Sequence, residues 1–495
     1  MDIWSWFRRR PRAAAIPARN QIAQALAERR YDLADRLRQT LPARSELRDI
    51  FALQLLIAQS RYEEAAALYE SARRNVRAQH SARVRYLRAL SAMKRKTDLA
   101  KTLKVIFASR AEAENLASLL PYMRDFEPQM RADAARRIMT AGQPLTLDAQ
   151  LACAQSLLEA EDRDGAVAIG AAVPHATPRE NAEVAILHTN IALHDGDDAA
   201  ATRCLSQAFE AFGLEPVSRR HADALLDVGN LAAQAPPAAA ALGKASILMS
   251  CFNAEQSIGA ALASLQAQSH PDIEIVVVDD CSTDGTAAIV EAVAASDPRV
   301  KLVPLAANRG AYYARNTALS LASGEFVLTH DADDWAHPRK VERLVRHLSA
   351  NAELIAVRGN WIRFAAGAGV GHRGAYIRLD ASSLTFRRQP VLERAGYFDT
   401  ARIGADSEYA YRLQRLFGER SVGELDEMLS VAARTADSLS GAAKTQIDID
   451  TVVYAPLRAA YRRAFFAWHE HADDLYLDFP QAEARPFPIP PELRP

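Results

Sequence analysis

Only four cysteines occur in 495 residues, Cys153, Cys204, Cys251 and Cys281, and no two of them stand at a metal-ligand spacing. That scarcity excludes a disulfide-stapled scaffold and a thiolate metal cluster, and it suits a reducing compartment. Charge of one sign is lacking as well: 60 Lys and Arg stand against 61 Asp and Glu, a formal balance of -1. Such a chain has no electrostatic footprint for nucleic acid, and no nucleic-acid partner is expected. No apolar run is long enough to span a bilayer and no secretory h-region opens the chain, so a cytoplasmic protein is expected, with any membrane contact peripheral at the inner face of the cell membrane.

What is present falls into two unlike halves. From Ala245 onward, apolar runs of strand length alternate with helical stretches, the pattern of βαβ units around a mostly parallel, Rossmann-like sheet. Ser246–Ser250, Ile273–Val278, Val300–Pro304 and Phe326–Thr329 read as strands, and Ala311–Leu321 reads as a helix. Asn253, with Gln256 three residues on, has the spacing of a capping box for a helix carrying Ile258, Leu262 and Leu265. Two acidic clusters follow strands: Asp279 and Asp280 after the second, and Asp331, Asp333 and Asp334 after the fourth. Ligands bind at that edge of open α/β sheets, and crowded carboxylates ask for a cation between them.

The motifs of this half resemble those of the family 2 glycosyltransferases, inverting enzymes with the GT-A fold. The resemblance rests on Met249-Ser-Cys-Phe-Asn253, Val278-Asp-Asp-Cys-Ser-Thr-Asp-Gly-Thr286, Asn308-Arg-Gly310, Ala314-Arg-Asn316, Ser323-Gly-Glu-Phe326 and Asp331-Ala-Asp-Asp334. It continues through Leu384-Thr-Phe-Arg-Arg388, Ala395-Gly-Tyr-Phe-Asp399 and Gly404-Ala-Asp-Ser-Glu408, and it spans Lys244 to Ser440. It implies a nucleotide-diphosphate sugar as donor and a hydroxyl of a glycan, lipid-linked or protein acceptor, in cell-surface polysaccharide or glycolipid biosynthesis. The alternative is a scaffold that binds sugar nucleotides without transferring them and works through its helices. A nucleotidyltransferase is disfavoured, because Met249–Asn253 lacks a glycine- and arginine-rich phosphate loop.

Carried onto this chain, the family pattern assigns Asp280 to the donor base, with Ser250 and Phe252 lining the pocket. Asp331 and Asp333 form the Asp-x-Asp pair and hold a hard divalent cation, Mn²⁺ or Mg²⁺, with Asp334 as a further donor-site candidate. Asp406 matches the base that takes the acceptor's proton, and capping of its helix is the plainer reading of the same residue. Arg315 and Arg309 are diphosphate or structural arginines, and Glu408 is a weaker candidate for orienting substrate. Asp284 reads equally well as a helix cap. His330 adjoins the cluster, but strand alternation turns it to the opposite face from Asp331. The sequence departs from the family in lacking a histidine before Ser438-Leu-Ser440, where either Arg434 or Asp437 substitutes or the metal relies on donor oxygens and water.

The other half, from Ile22 to Val228, is rich in Ala, Leu and Arg and reads as consecutive amphipathic helices. Ala34, Ala65, Ala100, Ala134, Ala166 and Ala200 recur in similar settings at separations of 31, 35, 34, 32 and 34 residues. That period resembles the tetratricopeptide repeat, whose stacked helix pairs present a concave surface for a protein partner or an acceptor. The organisation expected is a tail (1–20), an all-α repeat domain (21–234), a Pro/Ala linker (235–243), the GT-A domain (244–440) and a C-terminal helix with a Pro-rich tail (441–495). In the C-terminal helix Leu457, Tyr461, Phe465 and Trp468 share one face, for docking on the catalytic domain or for an interfacial membrane contact. Trp4, Trp6, Phe7 and Arg8–Arg10 give the N-terminal tail the composition of a membrane-surface anchor.

Overall fold

The computed structural model describes residues 15–495 apart from 44, 109–115, 124–125, 143, 235, 238–239, 241, 372–373, 435–446, 449–452 and 482–484. The expected N-terminal anchor, Asp437 with the Ser438–Ser440 segment, and part of the 235–243 linker therefore lie outside the described residues.

Helices fill the first half: α1 (Ala15–Ala27), α2 (Tyr31–Gln39), α3 (Glu46–Ala58), α4 (Tyr62–Ser71), α5 (Arg74–Ala78), α6 (His80–Ala92), α7 (Lys96–Ala108), α8 (Pro128–Thr140), α9 (Leu147–Leu158), α10 (Arg163–Ala172), α11 (Pro178–His194) and α12 (Asp198–Glu210). The recurring alanines fall in α2, α4, α7, α8, α10 and α12, mostly the second members of antiparallel pairs, where a methyl group allows close approach. The turn inside five pairs is built alike. One residue at positive φ (Arg29, Ser60, Lys94, Glu161 or Gly196) ends the first helix. The next amide then reaches back five residues, Arg30 to Ala25, Arg61 to Leu56, Arg95 to Leu90, Asp162 to Leu157 and Asp197 to Ala192, at 2.8–2.9 Å. This is the Schellman closure of a helix C-terminus.

After Glu210 the helical pattern stops, earlier than the sequence suggested. Gly213, at φ 67, and Pro216 break it. Two short strands, β1 (Val217–Arg219) and β2 (Leu231–Ala233), then pair antiparallel. Asn230 closes their loop by accepting from the His221 amide at 2.9 Å and donating to the Leu225 carbonyl at 2.9 Å.

The second half is a ten-stranded sheet. Its strands are β3 (Ala245–Cys251), β4 (Ile273–Asp279), β5 (Val300–Pro304), β6 (Phe326–Thr329), β7 (Asp334–Ala336), β8 (Ala356–Ala365), β9 (Gly369–Val370), β10 (Arg378–Leu379), β11 (Thr385–Arg387) and β12 (Val422–Ala433). The main path runs β5-β4-β3-β6-β11-β8-β12-β7, parallel through its first four strands and mixed thereafter. Around it pack α13 (Ile258–Gln266), α14 (Thr286–Ser296), α15 (Ala311–Leu321), α16 (Lys340–Ala350), α17 (Arg388–Arg394) and α18 (Ala405–Phe417). The chain order reverses at β3, with β4 on one side and β6 on the other, which opens a crevice at the C-terminal ends of these strands. No described helix is long and apolar enough to cross a membrane.

The helical array grips the sheet domain at several places. Near its C-terminal end Phe209 packs edge-on against Trp335 and stacks on His337, while Arg339 pairs with Glu215 at 2.6 Å. At its N-terminal end Arg29 lies 3.7 Å over the ring of Tyr411. The C-terminal helix α19 (Pro456–His471) fills the gap there, with Tyr31 edge-on to Phe466 and the Glu470 carboxylate accepting from the amides of Asp32 and Leu33. Tyr461, Phe465 and Trp468 are buried, so this face of α19 docks on protein and is not free for a membrane. The Pro-rich tail beyond it also packs down: Phe487, Ile489 and Leu493 are buried and the Arg402 amide donates to the Leu493 carbonyl at 2.9 Å.

The most enclosed contact between the halves is a carboxylate. Glu183 on α11, fully buried, accepts from the amides of Tyr376 at 2.6 Å and Ile377 at 3.2 Å, and burial pushes its carboxyl up from 4.5 to about 7. Between those two values the folded chain holds a proton that the unfolded chain has released. The stability this group contributes is therefore greatest below 4.5 and is lost as pH rises through about 7. Chemical denaturation of the wild type and Glu183→Gln should show it: from about pH 5 to about pH 8 the wild type loses roughly 2–3 kcal/mol relative to the variant. Parallel pH profiles would show that Glu183 does not titrate.

Candidate active site

Strands β3, β4 and β6 deliver their C-terminal residues to one crevice. Ser250 pairs with Val278 across β3 and β4, and Phe252, just beyond the strand, leaves 49% of its surface exposed at the mouth. Asp280 is almost fully buried. Its two carboxylate oxygens accept from the amides of Arg309 and Gly310, each at 2.7 Å, and burial pushes its carboxyl above the ordinary range despite those bonds. The acid thus shapes the Asn308–Gly310 loop, which Gly310 enters at φ 88. Arg402 holds the same loop from the other side, donating to the Asn308 side chain at 2.7 Å.

Neighbouring polar residues serve the loops themselves. Asn253 is not the expected helix cap: it sits at φ 48 and its side chain accepts from the Thr283 amide at 2.9 Å, so α13 starts only at Ile258. Asp284 accepts from the amides of Thr286 at 3.0 Å and Glu255 at 3.2 Å, tying the same two loops together.

Asp331, Asp333 and Asp334 each bring a carboxylate oxygen into a group whose members lie within 4.8 Å of one another. Two full charges at that distance repel by about 3 kcal/mol at an effective dielectric near 20, so three such pairs would rival the stability of a whole domain. The protein responds in two ways. Burial and the neighbouring carboxylates push Asp333 up to about 6 and Asp334 well above the ordinary range. Cations also surround the group. Arg315 of α15, itself buried, bonds to Asp331 through Nη2. Lys340, 1% exposed, lies 3.7 Å from Asp380 and donates to Ser430 at 2.8 Å. Its ammonium also donates to His330 Nδ1 at 3.2 Å, which leaves His330 Nε2–H to face the Asp334 carbonyl at 3.3 Å. His330 is thereby kept neutral, its pKa well below 6.5 through burial and the lysine charge, and it is turned away from the carboxylates. Three close oxygens from hard carboxylates fit a divalent cation.

Besides Lys340, one more cation was not singled out from the sequence. Arg363, near the end of β8, lies in the field of Asp334, Asp333 and Asp331, and its buried Nε has no hydrogen-bond partner among the described residues. The signal was alternation: Ile362 and Phe364 are core residues, so Arg363 and Trp361 share the opposite face. Arg434, one of the two substitutes for the missing histidine, donates instead to the Gly371 carbonyl at 2.9 Å.

Asp406 stands in the first turn of α18, half-buried, beyond Gly404 at φ 74. Arg315 feels the charge of both Asp331 and Asp406, which raises its pKa, and the buried Tyr312 beside it is raised further by Asp406. Arg315 thus links three of these acids: it bonds Asp331, its charge acts on Asp333, and it lies in the field of Asp406, while Asp334 belongs to the same carboxylate group. Asp280 shapes a separate loop, which the Arg402–Asn308 bond ties to the segment leading into α18. Glu408 does not belong to this group. It is fully buried and bonded to Arg412 at 2.9 Å and to His469 of α19 at 2.8 Å, so it fixes the C-terminal helix. Arg309 points outward over the ring of Tyr313, at 4.9 Å.

Comparison with known proteins gives this geometry a family. The family model "Glycosyl transferase family 2" matches residues 246–396. The succinoglycan biosynthesis protein ExoO of Rhizobium meliloti (strain 1021) is 37% identical over 122 residues, 25% of this chain and 34% of that protein. The UDP-Glc:alpha-D-GlcNAc-diphosphoundecaprenol beta-1,3-glucosyltransferase WfgD of Escherichia coli is 38% identical over 106 residues, 21% of this chain and 41% of that protein. The chain spans less than half the length of either relative. A crystal structure of S. aureus TarS 1-349 in complex with UDP-GlcNAc aligns with a TM-score of 0.33 and 23% identity, covering 39% of this chain and 60% of that one. Between its helical array and its C-terminal helix, this chain carries a glycosyl transferase family 2 domain.

Proposed function

We propose that the chain is an inverting glycosyltransferase. It moves a monosaccharide from a nucleotide-diphosphate sugar to a hydroxyl of a glycan, lipid-linked or protein acceptor, in the synthesis of a cell-surface polysaccharide or glycolipid. One observation carries this reading: Arg315, at the edge of the sheet where α/β proteins bind nucleotides, bonds Asp331 from the end of β6 and lies in the field of Asp406 from the start of α18. The names of two relatives, for succinoglycan biosynthesis and for glucosyl transfer to a diphosphoundecaprenol-linked sugar, support the substrate class.

In this reading Asp280, Ser250 and Phe252 receive the donor's base. Asp331 and Asp333, with Asp334 beneath them, hold Mn²⁺ or Mg²⁺, which when bound would offset the charge of the departing diphosphate. Arg315, bonded to Asp331, and Arg363, in the field of all three carboxylates, orient the diphosphate oxygens by charge. Asp406 takes the proton from the acceptor hydroxyl while that oxygen attacks the anomeric carbon from the face opposite the leaving group, giving inversion in one displacement. The exposed ring of Phe252 offers a flat apolar surface at the mouth of the crevice for a planar base.

Two measurements test the assignment. With a panel of nucleotide sugars and Mn²⁺, nucleotide release coupled to transfer should fall by about 10²–10⁴-fold in Asp406→Asn while donor binding persists, the range for loss of a general base. Transfer at the parental rate would remove Asp406 from the chemistry. In thermal unfolding without donor, Mn²⁺ at about a hundred times its Kd should stabilise the wild type by about 2.7 kcal/mol and leave Asp333→Ala unmoved. Equal stabilisation of both proteins would place the metal elsewhere.

A further inference from the structure

Two stretches of the sheet domain, residues 369–371 and 374–379, lie between β8 and β10 and are held by the helical array. Asn190 of α11 grips Val370 at both polar groups, accepting from its amide at 2.8 Å and donating to its carbonyl at 3.0 Å. Asp148 of α9 accepts from the Ala375 amide at 2.8 Å, and Glu183 takes the next two amides in turn. Arg179 donates to the Ile377 carbonyl at 2.7 Å, and the Tyr376 hydroxyl donates to Gln155 of α9 at 3.1 Å. The fit is close: a Cβ built on Gly369 would come within 2.4 Å of the Asn190 side-chain oxygen. Backbone groups that a sheet would ordinarily pair are satisfied here by side chains of another structural layer.

Both ends of this segment border the acid cluster. It leaves the sheet just after Arg363, which faces Asp333 and Asp334. It returns at Asp380, buried beside Lys340 and in the field of Asp331. Its middle is tied back by Arg434, at the end of β12, through the Gly371 carbonyl. Trp361, half-buried and on the same face as Arg363, pairs with Arg378 across β8 and β10. The two stretches therefore lie at the β8 side of the sheet, away from β3 and β4, with residues of the acid cluster's surroundings at either end.

We propose that the helical array is part of the acceptor site: α9 and α11 set the shape of residues 369–371 and 374–379, and Asp148, Glu183 and Asn190 are positioning residues for a hydroxyl-bearing glycan acceptor. The proposal rests on the glycosyltransferase reading and adds to it. The array's role in catalysis is to hold these two stretches, and recruitment of a separate protein is not required for it. Loss of Asn190 or Glu183 frees two backbone groups of these stretches, and loss of Asp148 one, while no donor-side residue is altered, so donor chemistry and acceptor recognition separate.

The test uses the full-length chain as wild type, Asn190→Ala, Glu183→Gln and, as a control on the outer surface of the array, Arg163→Ala. Hydrogen exchange reads the amides of Val370, Tyr376 and Ile377 against core amides of α11. Kinetics read nucleotide release in water without acceptor, and transfer to methyl and octyl glycosides. In Asn190→Ala the Val370 amide should exchange at least ten-fold faster with the α11 core unchanged. Acceptor-free nucleotide release should stay within two-fold of wild type, while the KM for the glycoside rises about ten-fold or more. Glu183→Gln, which keeps one accepting oxygen, should show a smaller effect at Tyr376 and Ile377, and Arg163→Ala none. Faster exchange at Val370 with an unchanged glycoside KM overturns the proposal, as does unchanged exchange. A wild-type chain that turns over no donor overturns the glycosyltransferase reading instead.

Discussion

Crowding three carboxylates into a space of 4.8 Å is the constraint around which the sheet domain is organised. The cost is comparable with the stability of a domain, and no single counter-ion offsets it. Arg315 comes from a helix after the third strand, Lys340 from the helix after the cluster, and Arg363 from a strand later still. Each cation is carried by a different element, so the cluster assembles only when β6, β8, α15 and α16 are all in place. Those elements are thereby committed to one arrangement, and what remains uncompensated is an affinity for a further positive ion. A binding site and a folding constraint are here the same interaction seen from two sides.

The helical array takes part in that arrangement. Apolar contact is continuous from Ile50 in α3 through Leu187 in α11 and Phe209 in α12 to Trp335 and Val431 in the sheet, one core shared by both halves. A tethered binding module would keep its own core and touch its neighbour through a polar, adjustable surface. Shared packing of this kind transmits shape: a shift of α11 displaces the backbone of Val370 and Tyr376 directly, because buried side chains hold those groups. The array's concave-surface reading from sequence, a platform for a protein partner, gives way at both ends to contacts with its own chain.

What could be read from the residues alone follows a simple division. Local periodicity and motif order gave the parallel strands nearly to the residue, Val300–Pro304 and Phe326–Thr329 among them, because buried parallel strands are continuous apolar runs. The cluster Asp331, Asp333 and Asp334 was visible for the same reason, since its members are adjacent in sequence. Arg363, Lys340 and Asp380 were not, because nothing in an isolated strand or helix says which distant charge it will face. Glu408, a weaker candidate from its place two residues after Asp406, is turned by the helix about 200° away, into the core against Arg412 and His469. Asn253 failed as a helix cap. Its capping spacing was real, but a competing bond to Thr283 in another loop captured the side chain. The array's β1–β2 pair went unseen because three-residue strands carry too little pattern to register.

A solenoid of stacked pairs is ordinarily a one-dimensional object whose terminal repeats fray and whose units can melt in succession. Here the first pair is capped by α19 through Tyr31, Asp32 and Leu33, and the last pair is pinned by Trp335 and Arg339. With both described ends of the stack clamped, one by α19 and the other by the sheet domain, unzipping from either of them is opposed. Repeat and sheet should therefore lose their structure in one cooperative step, and an insertion of one more repeat, harmless in an open solenoid, would leave this loop unable to close.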